Sequence, residues 1–245
     1  MLACSSVRCM DNSGVIFFAS ALALLTVTKS ESASYSYSFW HFDQAAGSTP
    51  YYSHFQIGST GDGIDLVYNP SLATVDLNHG NPSVYTSIEN STSTAVASRS
   101  VGWHRFEFRF DQPTSMATIF RDGVAIQSSS YSQTPWFFRF VFHDHIGGPQ
   151  ESVIDDFEFR IDGNLVYQQG FESPTLDSNW IVSRQDPGTY LSSGDTSNPH
   201  SGIGSLALGS TTSNNVAPII TFVPEPTSAA LAGFSILGLL VRRKR

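Results

Sequence analysis

The feature that most constrains the fold is a strictly alternating segment at residues 103–110, Trp-His-Arg-Phe-Glu-Phe-Arg-Phe. Its three phenylalanines fall on one face of an extended chain, and its charged residues fall on the other. A period of two is typical of a strand with one buried face and one solvated face. The chain is therefore expected to fold around a sheet, with Trp103 at the head of this strand predicted to lie in the core.

The rest of the body repeats this pattern with tight turns. Arg121-Asp122-Gly123 predicts a hairpin, Asp162-Gly163 predicts a second, and residues 137–142 form another apolar run. No amphipathic helical stretch of any length occurs between residues 35 and 223. Short strands at regular spacing predict an all-β protein, an antiparallel β-sandwich or jelly roll. In the strand at 153–161, one face is expected to carry Val153, Phe157, Phe159 and Ile161.

Three short motifs give this body a family resemblance. They are Gly102-Trp103-His104 opening a strand, Arg121-Asp122-Gly123 closing a hairpin, and Val153-Ile154-Asp155-Asp156-Phe157. Together they resemble the concanavalin A-like, laminin G-like sandwiches of exported bacterial proteins. The resemblance implies a fold for residues 35–169, whereas function has to be argued from a site. Residues 170–222 are expected to add strands that complete the sandwich or are appended to it.

The charge of the body excludes one class of partner. Residues 34–223 contain seven Arg, no Lys and 18 Asp plus Glu, a formal charge of 7 − 18 = −11. Such a surface repels phosphate backbones, and no basic patch interrupts it. We therefore expect no binding to nucleic acid.

The N-terminal segment is typical of a signal peptide. Residues 15–27 are apolar, follow Arg8 and precede a small polar run, and this length suits an h-region better than a full membrane span. An uncleaved anchor is the alternative, and both imply export. Cys4 and Cys9 lie inside the segment, so an exported body has no disulfide framework. We expect residues 1–34 to be the signal peptide.

The C-terminal segment, residues 223–245, has three parts in a fixed order: Pro224-Glu225-Pro226, a short apolar run and four terminal cations. As a helix, residues 229–241 would span ~20 Å of a hydrocarbon core that is ~30 Å thick. The cations are expected to hold that end on the cytoplasmic side. The predicted short hydrophobic helix and membrane anchor consists of Leu231, Phe234, Ile236, Leu237, Leu239, Leu240, Arg242, Arg243, Lys244 and Arg245.

This order of elements resembles the PEP-CTERM sorting signal of exported bacterial proteins. The resemblance implies recognition by an exosortase and processing near Pro224-Glu225-Pro226. It also implies a transient membrane anchor, followed by transfer to the cell envelope, the cell surface or an extracellular polysaccharide matrix. The alternative, a helix buried in the globular domain, would bring four cations to the edge of a core with no acidic partner nearby in sequence.

Sugar binding requires exposed aromatic faces that stack on pyranose C–H surfaces, together with planar polar groups. Trp136 is presented near a strand entry by Pro135 and the preceding loop. Large aromatic residues of β-sandwiches are also common core residues, so each candidate has two interpretations. The candidate glycan-binding residues are Trp40, Tyr52, Trp136 and Trp180.

Clustered carboxylates near turns or strand ends predict a calcium site, because hard cations prefer oxygen ligands. Asp122, Asp155 and Asp156 are the candidate ligands. We expect no required cofactor, and Ca²⁺ is the candidate for an optional one. The alternative for Asp155 and Asp156 is a strand-end pair that binds backbone amides.

An enzymatic function is the alternative to a binding or structural one. Concanavalin-like glucanases use two carboxylates on one strand face. Asp156 and Glu158 are expected to share a face, but Ile154 stands where the nucleophilic Glu is required. We therefore predict a non-enzymatic, surface-sorted protein with a structural or glycan-binding role. A glycoside hydrolase or other polysaccharide-active enzyme is the alternative.

Overall fold

The computed structural model describes residues 33–44, 51–59, 72–78, 81–89, 93–144, 150–211 and 216–224. These residues form fifteen strands and no helix. In chain order they are β1 Ser34–Asp43, β2 Tyr51–Ser59, β3 Ala73–Asn78, β4 Ser83–Ile88, β5 Thr94–Ser98, β6 Gly102–Asp111, β7 Met116–Arg121, β8 Val124–Ser130, β9 Pro135–Asp144, β10 Gln150–Ile161, β11 Asn164–Gln169, β12 Trp180–Arg184, β13 Thr189–Asp195, β14 Ser205–Ser210 and β15 Val216–Phe222.

The strands form two sheets in which every pairing is antiparallel. The first sheet has the order β13-β14-β10-β1-β6-β7-β8, and β11 also pairs with β10. The second sheet has the order β12-β15-β9-β2-β3-β4-β5. The predicted all-β antiparallel sandwich is therefore confirmed. Of the predicted signal segment, residues 1–34, and the predicted anchor segment, residues 223–245, residues 1–32 and 225–245 lie outside the described residues.

The two sheets pack through a core dominated by phenylalanine. Phe39 of the first sheet has its ring centroid 4.6 Å from that of Phe55 and 5.0 Å from that of Phe138, both in the second sheet. Phe106, Phe108 and Phe110 are buried in the same core, as their alternation predicts. Full burial of one Phe side chain stabilises the fold by about 1.5–3 kcal/mol, so this core is the main stabilising element.

A β-bulge in β10 corrects the predicted faces of that strand. Ser38 pairs with Glu158 while Trp40 pairs with Asp155, so β10 contains one extra residue over this interval. Asp156 has a φ of 48°, in the left-handed region. The bulge shifts the alternation, so Ile154 lies in the core with Phe157. The prediction that Val153 shares a face with Phe157 is therefore wrong.

The last four strands are divided between the sheets. β13 and β14 extend the first sheet beyond β10, and β12 and β15 extend the second sheet beyond β9. Phe222 of β15 packs against Phe157 at 4.8 Å and against Trp180 at 5.4 Å between ring centroids. Side chains from these strands therefore lie in the same core as those of β1 to β10.

Within the ranges given above, no segment forms a helix with the length and apolarity needed to cross a bilayer.

Candidate functional site

The outer face of the first sheet carries a polar pattern centred on β1. Tyr37 and Phe39 of this strand lie in the core. Because successive side chains of a strand point to opposite faces, Ser36, Ser38 and Trp40 lie on the outer face. Since β1 pairs with β10 on one side and β6 on the other, both neighbours flank these residues.

The register places matching residues on both sides of β1. Ser36 lies between Arg109 and Arg160, and the next row has Ser38 between Glu107 and Glu158. Rows are ~6.8 Å apart along the strand, and neighbouring strands are ~4.8 Å apart. The third row has Trp40 between Arg105 and Asp155. We call this surface the β1 face; it consists of Ser36, Ser38, Trp40, Arg105, Glu107, Arg109, Glu158 and Arg160.

Ion pairs fix the charged side chains of the β1 face. Nη2 of Arg109 lies 2.8 Å from Oε1 of Glu107, and Nη2 of Arg160 lies 3.1 Å from Oε2 of Glu158. Arg105 extends over β1: its Nη2 donates to Oγ of Ser38 at 2.9 Å and lies 3.8 Å from Oε2 of Glu158. Its planar guanidinium therefore lies over Ser38, in the row next to Trp40, and 37% of the side chain is exposed.

Two tryptophans and a histidine meet at the end of the β1 face. The His200 ring stacks on Trp40 with centroids 4.0 Å apart and planes at 17°. Trp103 contacts His200 edge-on at 5.3 Å and Phe42 at 5.4 Å. Trp103 is only half-buried and lies on the outer side, so its predicted place in the core is wrong. It is an odd number of residues from Phe106, and alternation directs it away from the core.

Asp155 and Asp156 hold His200 in place through the loop at 196–204. Asp155 is buried, and one of its carboxylate oxygens accepts the backbone N–H groups of His200 at 2.9 Å and Ser201 at 3.1 Å. Asp156 bonds to Nδ1 of His200 at 2.8 Å and accepts the Ser201 hydroxyl at 2.7 Å. Burial raises the pKa of Asp155, while these backbone hydrogen bonds oppose the shift.

The three predicted calcium ligands do not converge. Asp122 follows β7 and bonds to Nδ1 of His104 at 2.7 Å and to the backbone N–H of Arg105 at 2.9 Å. Strands β1 and β6 lie between it and Asp155 in the sheet. Within the part of the chain that the structure describes, no three His, Cys, Asp or Glu residues form a group suited to a metal. The structure therefore does not bring Asp122 to the other two residues, and calcium binding at Asp155 and Asp156 stays a prediction.

The four candidate glycan-binding aromatics have different environments. Trp40 is half-buried on the β1 face, and Trp136 of β9 is 37% exposed. Trp180 is only 6% exposed, and its Nε1 donates to the Tyr167 hydroxyl at 2.9 Å. It packs against Phe157 and Phe171, so it is a core residue and is removed from the candidates. The side chain of Tyr52 lies outside the described residues.

The carboxylate pair considered for hydrolysis has structural partners. Asp156 is engaged by His200 and Ser201, and Glu158 is paired with Arg160. Ile154 is buried in the core, on the side of β10 opposite to Glu158. The strand therefore presents no second carboxylate at the position that the glucanase pattern requires.

A second titratable cluster, missed from the sequence, lies on the outer face of the second sheet. Nδ1 of His54 is 3.6 Å from Oδ1 of Asp76, which pairs with it across β2 and β3. Burial raises the pKa of Asp76 to about 6. Alternation places both residues opposite to the core, but their pairing depends on strand order, which the sequence does not reveal.

Comparisons with known proteins assign no family to this chain. No protein family model matches the chain, and no curated protein matches it. The crystal structure of the alginate lyase from Corynebacterium sp. aligns at 13% identity with a TM-score of 0.32, over 45% of this chain and 46% of that enzyme. The chain thus spans about half of the length of that enzyme. A likeness this partial assigns neither a site nor an activity.

Proposed function

We propose that this chain is an exported, surface-sorted and non-enzymatic protein whose concanavalin A-like jelly roll binds a glycan through the β1 face. One observation carries the binding proposal. Half-buried Trp40 lies on β1 next to two rows in which a serine has a glutamate, or an arginine, on both of its sides. Aromatic rings with a few well-placed polar groups are what carbohydrate surfaces require.

The chemistry of the β1 face suits a sugar chain in three ways. The part of the half-buried Trp40 ring that stays exposed contacts pyranose C–H groups, and the stacked His200 ring holds the indole in place. The guanidinium of Arg105 offers N–H donors in the next row, over Ser38, and Glu107 and Glu158 offer acceptors. Because ion pairs already hold these groups, little side-chain entropy is lost when the sugar binds.

Trp40→Ala tests this proposal, with Trp136→Ala as the matched control on the second sheet. Residues 33–224 are screened against a glycan array with and without calcium, and affinities are then measured by calorimetry. We expect Trp40→Ala to weaken binding at least about tenfold, which corresponds to loss of a stacking contact of about 1.4 kcal/mol. Trp136→Ala should leave binding unchanged.

The opposite results point to different functions. Absence of binding to every glycan, in both calcium conditions, would favour a structural coat protein. Binding that depends on Trp136 instead of Trp40 would move the site to the second sheet. If the unaltered protein cleaves a β-glucan and Glu158→Gln does not, the hydrolase alternative would be favoured.

Export and sorting are proposed from the two terminal segments. The apolar run at 15–27 and the Pro224-Glu225-Pro226 motif with its apolar and basic continuation support recognition by an exosortase. We expect mass spectrometry of the mature surface protein to place its C-terminus near Pro224. Deletion of residues 242–245 should leave a longer, membrane-retained product. An unchanged product mass and destination after this deletion would contradict the sorting proposal.

A further inference from the structure

We infer that the ligand of the β1 face is a neutral glycan chain that runs along β1, from Trp40 across Ser36, rather than an acidic polysaccharide. This inference rests on the proposed function and names its ligand class and orientation. It follows from the ion pairs that engage the arginines of the face and from the size of the side chains on β1.

The pairing of the arginines on the face and the net charge of the body disfavour a polyanion. The face contains three arginines, each of which already has a carboxylate partner: Arg109 with Glu107, Arg160 with Glu158, and Arg105 with both glutamates. An acidic ligand would have to displace these glutamates, or bind beside them at unfavourable energy. The formal charge of −11 over residues 34–223 adds long-range repulsion.

The same pairs suit the hydroxyl groups of a neutral sugar. Each pair presents an acceptor and a set of donors side by side, and a sugar hydroxyl both donates and accepts. Glu107 and Glu158 face each other across Ser38, and Arg109 and Arg160 face each other across Ser36. A chain lying between them therefore meets equivalent partners on both sides.

Small side chains on β1 leave room for the chain. Ser34 and Ser36 are the only residues of the described part of β1 on this face beyond Arg105. From Ser34 to Trp40 the strand extends ~20 Å, which accommodates an oligosaccharide rather than a single sugar. The flanking strands lie ~10 Å apart across β1, so Ser34 and Ser36 form the base of a shallow channel. Arg105 lies over the buried Ser38, so a sugar chain that continues to Trp40 passes over the Arg105 guanidinium.

The test compares neutral and acidic chains on the intact body. Binding of residues 33–224 to neutral β-glucan and xylan oligosaccharides and to polygalacturonate is measured by calorimetry between about 0.02 and 0.5 M NaCl. We expect a neutral chain to bind with an affinity that salt changes by less than about twofold, and we expect no binding of polygalacturonate. Tighter binding of polygalacturonate that salt abolishes would overturn the inference.

Ser36→Tyr tests the path of the chain. The new ring would fill the channel between Arg109 and Arg160, and tyrosine is favourable in strands, so folding should be retained. We expect it to weaken an oligosaccharide at least about tenfold, while the control Ser130→Tyr on exposed edge strand β8 has little effect. Unchanged affinity in a folded Ser36→Tyr protein would overturn the path.

The two proposals fail in different ways. If no glycan binds, or if Trp40→Ala has no effect, the β1 face is not a glycan site and both proposals are wrong. Suppose that Trp40→Ala weakens binding, but the ligand is acidic or its affinity is unchanged by Ser36→Tyr. The proposed function then stands and only this inference is wrong. The salt series uses the unaltered body, so it decides the ligand class even if Ser36→Tyr does not fold.

Discussion

Buried His41 and half-buried Asp76 have pKa values shifted in opposite directions. His41 is fully buried in the core, and burial lowers its pKa to about 4. Its Nδ1 donates to the carbonyl of Val153 at 2.9 Å, and its Nε2 has no hydrogen-bond partner within the described ranges. Asp76 lies on the other sheet with a pKa raised to about 6 by burial. In the folded state His41 therefore titrates near pH 4 and Asp76 near pH 6.

The two residues should make opposite contributions to stability between pH 4 and 6. The unfolded state binds more protons than the folded state at His41, so this residue makes stability fall as pH falls. The folded state binds more protons at Asp76, so that residue makes stability fall as pH rises. The free energy of unfolding is measured in urea across this range. Its slope against pH should be lower in His41→Phe, and higher in Asp76→Asn, than in the unaltered protein. Curves parallel to that of the unaltered protein would contradict these pKa values.

Phe157 is the most informative single core position. It is fully buried, and its ring packs against those of Phe138, Trp180 and Phe222. Phe157→Ala leaves a cavity between the sheets and should lower the free energy of unfolding by about 3–5 kcal/mol. Phe120→Ala, on the half-buried outer side of β7, is the control and should lower it clearly less. Equal losses in denaturant unfolding would contradict the assigned core.

At the level of elements, the sequence predicts strands better than it predicts their faces. The alternation at residues 103–110 predicted β6 and its buried phenylalanines, and the Asp-Gly turns at 122–123 and 162–163 predicted two hairpins. The β10 bulge at Asp156 could not be read from the sequence, because Asp155-Asp156 fits an unbroken alternation equally well. The pairing of β1 between β6 and β10, which creates the β1 face, depends on contacts distant in sequence.

The loop at 196–204 should depend on Asp155 for its position. Asp155→Ala removes the acceptor of three backbone N–H groups, those of Asp156, His200 and Ser201, and should destabilise the fold by about 1–3 kcal/mol. Amide hydrogen exchange at His200 and Ser201 should become faster. Asp156→Ala removes only side-chain hydrogen bonds and should leave those two amides protected. Equal protection in Asp155→Ala and in the unaltered protein would show that the loop is held by other contacts.

At the scale of the whole molecule, strands from the C-terminal part of the body share the core with the others. A fragment ending at residue 169 would lack β12 to β15 and would expose the apolar sides of Phe138 and Phe157 to water. We expect residues 33–224 to unfold in one cooperative transition and the shorter fragment to show no such transition in calorimetry. A cooperative transition in the shorter fragment would show that residues 170–222 are an appended lobe.

The central claim, that the β1 face binds a glycan, can be tested with the four tryptophans of the chain. Trp40 and Trp103 lie at the end of that face, Trp136 is exposed on the second sheet, and Trp180 is buried. Their indole N–H groups give four separate NMR signals, which are followed while a glycan selected by the array is added. The signal of Trp40 should shift most and that of Trp103 less, while the other two stay in place. A shift confined to Trp136, or four signals unchanged at saturating glycan, would contradict the account.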